Sequence, residues 1–281
     1  MYPGQPVPIM VSDPNLTGAP MGMPYMPQNL INSPQNFVYF MDPFTELSQC
    51  SGAIIRQQVE LLEAYTGCET QNRYHVFLLS PTGIKYAFRC NERSDSCSRC
   101  CCPANSRPLE LIIRHIISSE QLNNDLSKIF INVNKPCVCG CCCFCRPHMD
   151  VRLADNNDLI GRVREPCTCC DLDTEIYDSN GNYKYLITGD CCQAGLCCCE
   201  KLSSVHFDIL QNRSYVGSIK KLSATNFGEF FTKADSYRIE FPPNASPEEK
   251  MLLIIAGLMI DYQNFEDSDN DVPPARPYYY Y

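Results

Sequence analysis

Positive charge is scarce in this chain. Its 281 residues hold 23 Lys and Arg against 32 Asp and Glu, a formal net charge of −9. A general nucleic-acid binder carries the opposite balance, so nucleic acid is not expected as a partner. A secretory signal is also missing, since the opening MYPGQPVPIMVSDPNL has no basic n-region and no apolar h-region. That disfavours a secreted disulfide scaffold, and a reducing compartment is expected. No glycine stands at position 2 for myristoylation and no prenylation box closes the chain. No G-x-S-x-G elbow, P-loop or H-E-x-x-H helix occurs, so the commonest hydrolase, nucleotide and metalloprotease signatures are out. Histidine is represented only by His75, His115, His148 and His206, and nothing in the pattern pairs one of them with a particular cysteine as a catalytic couple.

Cysteine, by contrast, is abundant. Of 21 cysteines, all but Cys50, Cys68 and Cys90 fall into four clusters: CSRCCC (97–102), CVCGCCCFC (137–145), CTCC (167–170) and CCQAGLCCC (191–199). In a reducing compartment these thiols are free, metal-bound or lipidated.

The chain changes texture twice. Residues 1–45 are rich in Pro, Met, Asn and Gln. Each proline fixes φ and removes a donor, so this part reads as a disordered arm with polyproline II character. Pro3-x-x-Pro6 and Pro24-x-x-Pro27 match the spacing of SH3 or WW ligands, although such short matches are common by chance. Residues 46–266 read as the folded domain. The acidic, tyrosine-ending stretch 267–281 reads as a disordered tail.

Within the domain, AIIRQQV (53–59) fits either an opening strand or part of a helix. Short alternating runs follow at 74–79, 84–89, 109–115, 128–133, 149–154, 159–165, 173–178, 183–188, 204–210, 215–222, 227–232 and 236–241. Four pairs are joined by SPTG, DNND, SNGN and QNRS turns. About a dozen short strands with such turns indicate an antiparallel barrel or sandwich. A loose repeat, with a glycine turn, strand, cysteine cluster and strand, links Gly83–His115 to Gly181–Leu210.

The most apolar stretch is SPEEKMLLIIAGLMIDYQNFE (246–266). Ser246, Pro247 and Glu249 form a helix start with a capping box. Met251–Ile260 is then apolar on every face, so it must be buried in protein or in lipid. Ten residues rise about 15 Å, half of a ~30 Å hydrocarbon core. Lys250 and Asp261 close the two ends, and lipid would charge about 2.5–3.5 kcal/mol for each on insertion scales. A central helix of about 247–263, wrapped by the strands, is therefore expected rather than a bilayer span.

QQVELLEAYTGCETQNRY, CCCPANSRPLELII, KPCVCGCCCFC, ADSYRIEF and MLLIIAGLMID occur in an order and spacing that resemble the phospholipid scramblase family. The resemblance covers about 46–266. It implies an all-β, tubby-like fold, a twelve-stranded antiparallel β-barrel enclosing a C-terminal hydrophobic α-helix. It also implies ATP-independent, calcium-stimulated, bidirectional movement of phospholipids at the plasma membrane, by a membrane protein and not an enzyme. Residence at the cytoplasmic face through palmitate is implied, with nuclear or cytoplasmic residence when unacylated.

The resemblance aligns Cys141, Cys142, Cys143 and Cys145 with the family's palmitoylated cluster. Here Gly140 fronts the cluster, and Cys143 and Phe144 replace the family's usual Pro and Cys. Adjacent exposed thiols suit lipidation, which needs no mutual geometry. Zinc is the rival, with Cys97, Cys100, Cys167 and Cys170 at ligand-like spacing. Consecutive cysteines in extended chain point opposite ways, which suits one zinc poorly. The family's calcium segment aligns with KADSYRIEFPPN (233–244), offering Asp235, Glu240 and Asn244. Lys233 and Asn244 stand where the family often has acids, and Asp235 and Glu240 fall on opposite strand faces. A plain strand and turn stands at least level with calcium binding. An acylated adaptor without lipid transport is the alternative to a scramblase.

Overall fold

The alternating segments form strands, and the strands close on themselves. The structure is a computed structural model and describes residues 42–58, 71–102, 106–117, 127–138, 145–168, 172–197, 204–222 and 236–265. The expected strand at 227–232, the arm up to residue 41 and the tail from residue 266 lie outside these residues.

A short helix α1 (Pro43–Ser48) leads into β1 (Gly52–Gln57), which decides the ambiguous opening in favour of a strand. Next come β2 (Arg73–Ser80), β3 (Gly83–Arg93), α2 (Ser96–Cys101), β4 (Leu109–His115) and β5 (Ile129–Lys135). They are followed by β6 (His148–Leu153), β7 (Leu159–Arg164), β8 (Thr174–Asp178), β9 (Tyr183–Thr188) and α3 (Ala194–Cys197). The chain then runs through β10 (Val205–Gln211), β11 (Ser214–Leu222) and β12 (Ser236–Glu240) to α4 (Pro247–Asn264). Every strand is antiparallel to its sequence neighbours, and β1 pairs with β12 to seal a closed, tubby-like barrel. Closure removes the sheet edges that would otherwise template aggregation.

Period-two burial sets the wall. In β10, Val205, Phe207 and Ile209 are buried while His206 and Asp208 lie in the outer, wetter row. The inward rows meet α4, whose residues Met251–Ile260 are all buried. A helix with no polar stripe needs apolar wall on every side, and a closed barrel supplies it. Each fully buried Leu, Ile or Met contributes about 1.5–3 kcal/mol. Gly257 lets the helix approach the wall closely: a Cβ there would lie 2.9 Å from Ile55 Cδ1 and 3.3 Å from Ile239 Cδ1.

Local chemistry fixes the ends of the helices. Ser246 Oγ accepts from Glu249 N at 3.2 Å, and Ser246 N donates to Glu249 Oε2 at 3.0 Å, the expected capping box. Pro43 starts α1 at a position where its missing N–H costs nothing, with Asp42 Oδ2 capping Phe44 and Thr45 N–H. Burial extends past both ends of the apolar run, to Lys250 on one side and to Asp261 and Tyr262 on the other, because both charged groups find partners inside. Lys250 Nζ donates to the carbonyls of Leu47, Ser48 and Cys50 at 2.9, 3.1 and 2.8 Å, using all three protons on the C-terminal end of α1.

Strand direction sorts the connections between two ends. The turns β2–β3, β6–β7, β8–β9 and β10–β11 share one end, where α1 enters and α4 begins. We call this the hairpin end. In the last of these turns Asn212 and Arg213 both take positive φ, 51° and 64°, as a two-residue hairpin turn requires. The connections β1–β2, β3–β4, β5–β6, β7–β8, β9–β10 and β11–β12 share the opposite, loop end, where α4 finishes. The loose sequence repeat maps onto β3–β4 and β9–β10, six strands apart in a barrel of twelve.

Candidate functional site

All four cysteine clusters issue from the loop end. CSRCCC lies between β3 and β4, CVCGCCCFC between β5 and β6, CTCC between β7 and β8, and CCQAGLCCC between β9 and β10. The four connections are therefore successive around a single rim. Cys97 is exposed on α2, which Asp95 starts by accepting from Cys97 N and Ser98 N at 3.1 and 3.2 Å. Cys137 and Cys145 are exposed on either side of the β5–β6 connection. Cys167 is exposed beyond β7, and Cys191 and Cys192 lie just beyond β9. Cys141, Cys142, Cys143 and Cys170 lie outside the described residues.

A buried polar layer holds this rim to the core. Glu92, 2% exposed near the end of β3, accepts from Asn72 N (3.1 Å), Ser94 Oγ (2.5 Å), Arg107 Nη2 (3.4 Å) and Tyr262 OH (3.0 Å). Arg107 is fully buried, and its carbonyl accepts from the buried Lys135 Nζ at 2.7 Å. Asp261 accepts from Tyr74 OH at 2.6 Å and Tyr237 OH at 2.5 Å. Lys221 Nζ sits 3.6 Å over the Phe265 ring, a cation–π contact at the exit of α4. Two cysteine-bearing connections are thus tied to the end of α4 by buried charged side chains. None of Glu92, Arg107, Lys135 or Asp261 stood out in the sequence as a partner of another. Their only signal was a charge set beside an apolar run.

Among the described residues, the two core thiols behave differently from the rim. Cys90 is buried in β3 and burial pushes its thiol up to about 12. Cys50 is buried too, its Sγ donates to Glu46 O at 3.0 Å, and burial raises it. A raised, enclosed thiol is a poor nucleophile, whereas exposed thiols on loops can meet an acyl donor.

The candidate metal residues are distributed less favourably. Of the four zinc candidates, Cys97 and Cys167 sit on connections that the β5–β6 connection separates around the rim, and Cys100 lies on α2 with Cys97. Among the described residues, the group of His, Cys, Asp or Glu whose ligand atoms gather within 4.8 Å is Asp190, Cys191 and Cys192. For calcium, residue 235 lies outside the described residues, next to the loop-end start of β12. Glu240 and Asn244 are at the hairpin end, five strand residues away, about 17 Å. Glu240 is already engaged by Ser218 Oγ at 3.3 Å and Arg238 Nε at 3.7 Å. Glu240 and Asn244 do not by themselves make the six-to-eight-oxygen cage that calcium takes.

The hairpin end carries a shallow cleft of about 390 Å³ between Phe44, Leu159, Leu252 and Glu249. Glu249 is committed there to Ser246 N, Tyr185 OH and Lys184, and Asp178 to the Asn180 and Asn182 turn. No helix among the described residues is long and apolar enough to cross a membrane.

Comparison with known proteins agrees with the resemblance. The family model described as Scramblase matches residues 32–267. Phospholipid scramblase 1 of Mus musculus is 28% identical over 263 residues, covering 92% of this chain and 72% of the relative. Phospholipid scramblase 1 of Homo sapiens is 30% identical over 253 residues, covering 88% of this chain and 71% of the relative. Phospholipid scramblase 2 of Bos taurus is 28% identical over 255 residues, covering 89% and 78%. No solved structure matches the chain.

Proposed function

Because the chain belongs to the scramblase family, we propose that it moves phospholipids between bilayer leaflets, in both directions and without ATP. In this reading it works at the cytoplasmic face of the plasma membrane, is held there by palmitate on Cys141, Cys142, Cys143 and Cys145, and is stimulated by calcium. The observation that carries the anchoring is the common rim. Clusters scattered over a hundred residues of sequence leave the barrel at one end, so acyl chains there would all meet the same membrane. One chain holds weakly, and two or more hold stably. Cys145, exposed at the edge of that rim, is accessible for a thioester.

One observation favours a second reading, an acylated adaptor. The barrel interior is filled by α4. A lipid headgroup would have to travel along the outside of the protein or through a bilayer that the protein perturbs. The SH3- or WW-type motifs of the arm would then recruit partners. Reconstitution separates the two. Purified, acylated protein is placed in liposomes with fluorescent phospholipid in both leaflets and bleached from outside, with and without calcium. Bleaching beyond the outer-leaflet fraction supports transport. A trace that stops at that fraction under both conditions leaves the adaptor. A signal that ignores calcium removes the calcium part alone.

A further inference from the structure

We propose that Asp190, Cys191 and Cys192 form a zinc site at the loop end, separate from the lipidation cluster. The turn that follows β9 does what an extended chain cannot: it turns two consecutive thiols to the same side. Cys191 Sγ and Cys192 Sγ lie 3.8 Å apart. Two thiolates bound at about 2.3 Å to one tetrahedral zinc stand about 3.8 Å apart. A disulfide needs about 2.05 Å and a tightly constrained dihedral, which this pair does not approach. The Asp190 carboxylate lies within 4.8 Å of both sulfurs, near enough for the same ion.

The turn is held ready by its neighbours. Gln193 acts as a substitute strand residue: its Oε1 accepts from His206 N at 2.7 Å and its Nε2 donates to His206 O at 2.7 Å. The same Nε2 donates to Asp190 O at 3.1 Å, and Asp190 Oδ1 accepts from Cys192 N at 2.8 Å. These bonds fix the three donor residues against β10 before any ion arrives. The donor set selects the metal. Two thiolates exclude calcium and magnesium, and a carboxylate beside them suits borderline zinc better than soft copper(I). Cys192 and Asp190 are exposed and Cys191 is half-buried, so solvent water completes a four-coordinate site. Binding displaces the two thiol protons to the buffer, so affinity rises with pH.

The test uses the full chain, reduced and stripped of metal, with cobalt(II) as the spectroscopic probe and zinc as its competitor. Cys191→Ser/Cys192→Ser is expected to bind one equivalent fewer than wild type and to lose the matching thiolate-to-cobalt absorption. Cys97→Ser/Cys167→Ser should keep that equivalent. Asp190→Asn, which retains both thiols, should weaken it by about tenfold or more. A second readout needs no variant: saturating zinc should slow alkylation of Cys191 and Cys192 together while Cys167 stays reactive. Equal cobalt stoichiometry in wild type and the 191/192 variant would overturn the proposal. So would alkylation of the pair at an unchanged rate, or loss of the same equivalent in the 97/167 variant.

Discussion

Asp261 is the sharpest place to test how the loop end is fixed to the core. Its carboxylate is 2% exposed and accepts from the hydroxyls of Tyr74 on β2 and Tyr237 on β12. These strands flank β1, so the three residues pin the exit of α4 to both sides of the barrel's closure. A hydrogen bond to a charged group contributes about 1.5–3 kcal/mol net. Asp261→Ala removes two of them and takes the acceptor from two buried hydroxyls, so a loss of about 3–6 kcal/mol is expected. That is a large share of the ~5–15 kcal/mol that keeps a domain folded. Asp261→Asn keeps one carbonyl oxygen and should fall between. Urea unfolding at pH 7.5, followed by tyrosine fluorescence and circular dichroism, measures all three proteins. A double-mutant cycle with Tyr74→Phe should return a coupling of about 1–3 kcal/mol, since the Phe change removes a bond already lost in the Ala variant. A cost below about 1 kcal/mol for Asp261→Ala, or simple additivity of the two changes, would refute this anchoring of α4.

Three further outcomes are expected. Burial, then the charges of Arg89, Arg56 and Arg73, lower His75 from its ordinary 6.5 to about 4. Its contribution to stability is therefore complete above pH ~6.5 and lost as pH falls towards 4, about 2 kcal/mol between pH 7.5 and 5, and His75→Gln should flatten that part of the urea midpoint profile; parallel profiles refute it. Lys250→Met leaves three carbonyls at the end of α1 without their ammonium donor and should cost about 1–3 kcal/mol, read as a lower urea midpoint at unchanged m-value. Ile255→Lys puts a charge in the middle of the barrel and should abolish folding of a chain whose clusters are changed to serine; a folded protein that has only lost membrane attachment would show that α4 is not the core.

The fold was legible in the sequence because each element carries a local signature. Period-two runs with Asn-Gly or Pro turns name the strands, and the capping box with a ten-residue apolar run names the helix. The burial of Lys250 and Asp261 was not legible. Each closes the apolar run like a solvent-facing charge, and only partners 200 and 24 residues distant, Cys50 and Tyr237, make it an interior group. The gathering of the clusters was half legible. In a meander each strand reverses direction, so clusters placed after the third, fifth, seventh and ninth strands share an end by parity alone. That parity holds whether or not AIIRQQV is counted as a strand; what it left open is the end, because an added strand at 227–232 would start α4 at the same end as the clusters. The zinc geometry was hidden for a different reason. The alternation rule that sends neighbouring side chains to opposite faces holds in extended chain, and Cys191 and Cys192 sit in a turn.

The two-ended construction has a consequence for the proposed function. Helix α4 has 18 residues and so runs about 27 Å through the barrel, from α1 to the cysteine rim. With acyl chains at the loop end, Asp42, where the described chain begins, stands off the membrane by about that distance. That is about three Debye lengths at physiological ionic strength, so charges near the hairpin end feel little of the bilayer's surface potential. Helix α4 links the two ends, since its Lys250 and Asp261 are bonded to opposite ends of the barrel. A change that loosens either bond should therefore weaken coupling between the two ends, and one on the outer wall should not.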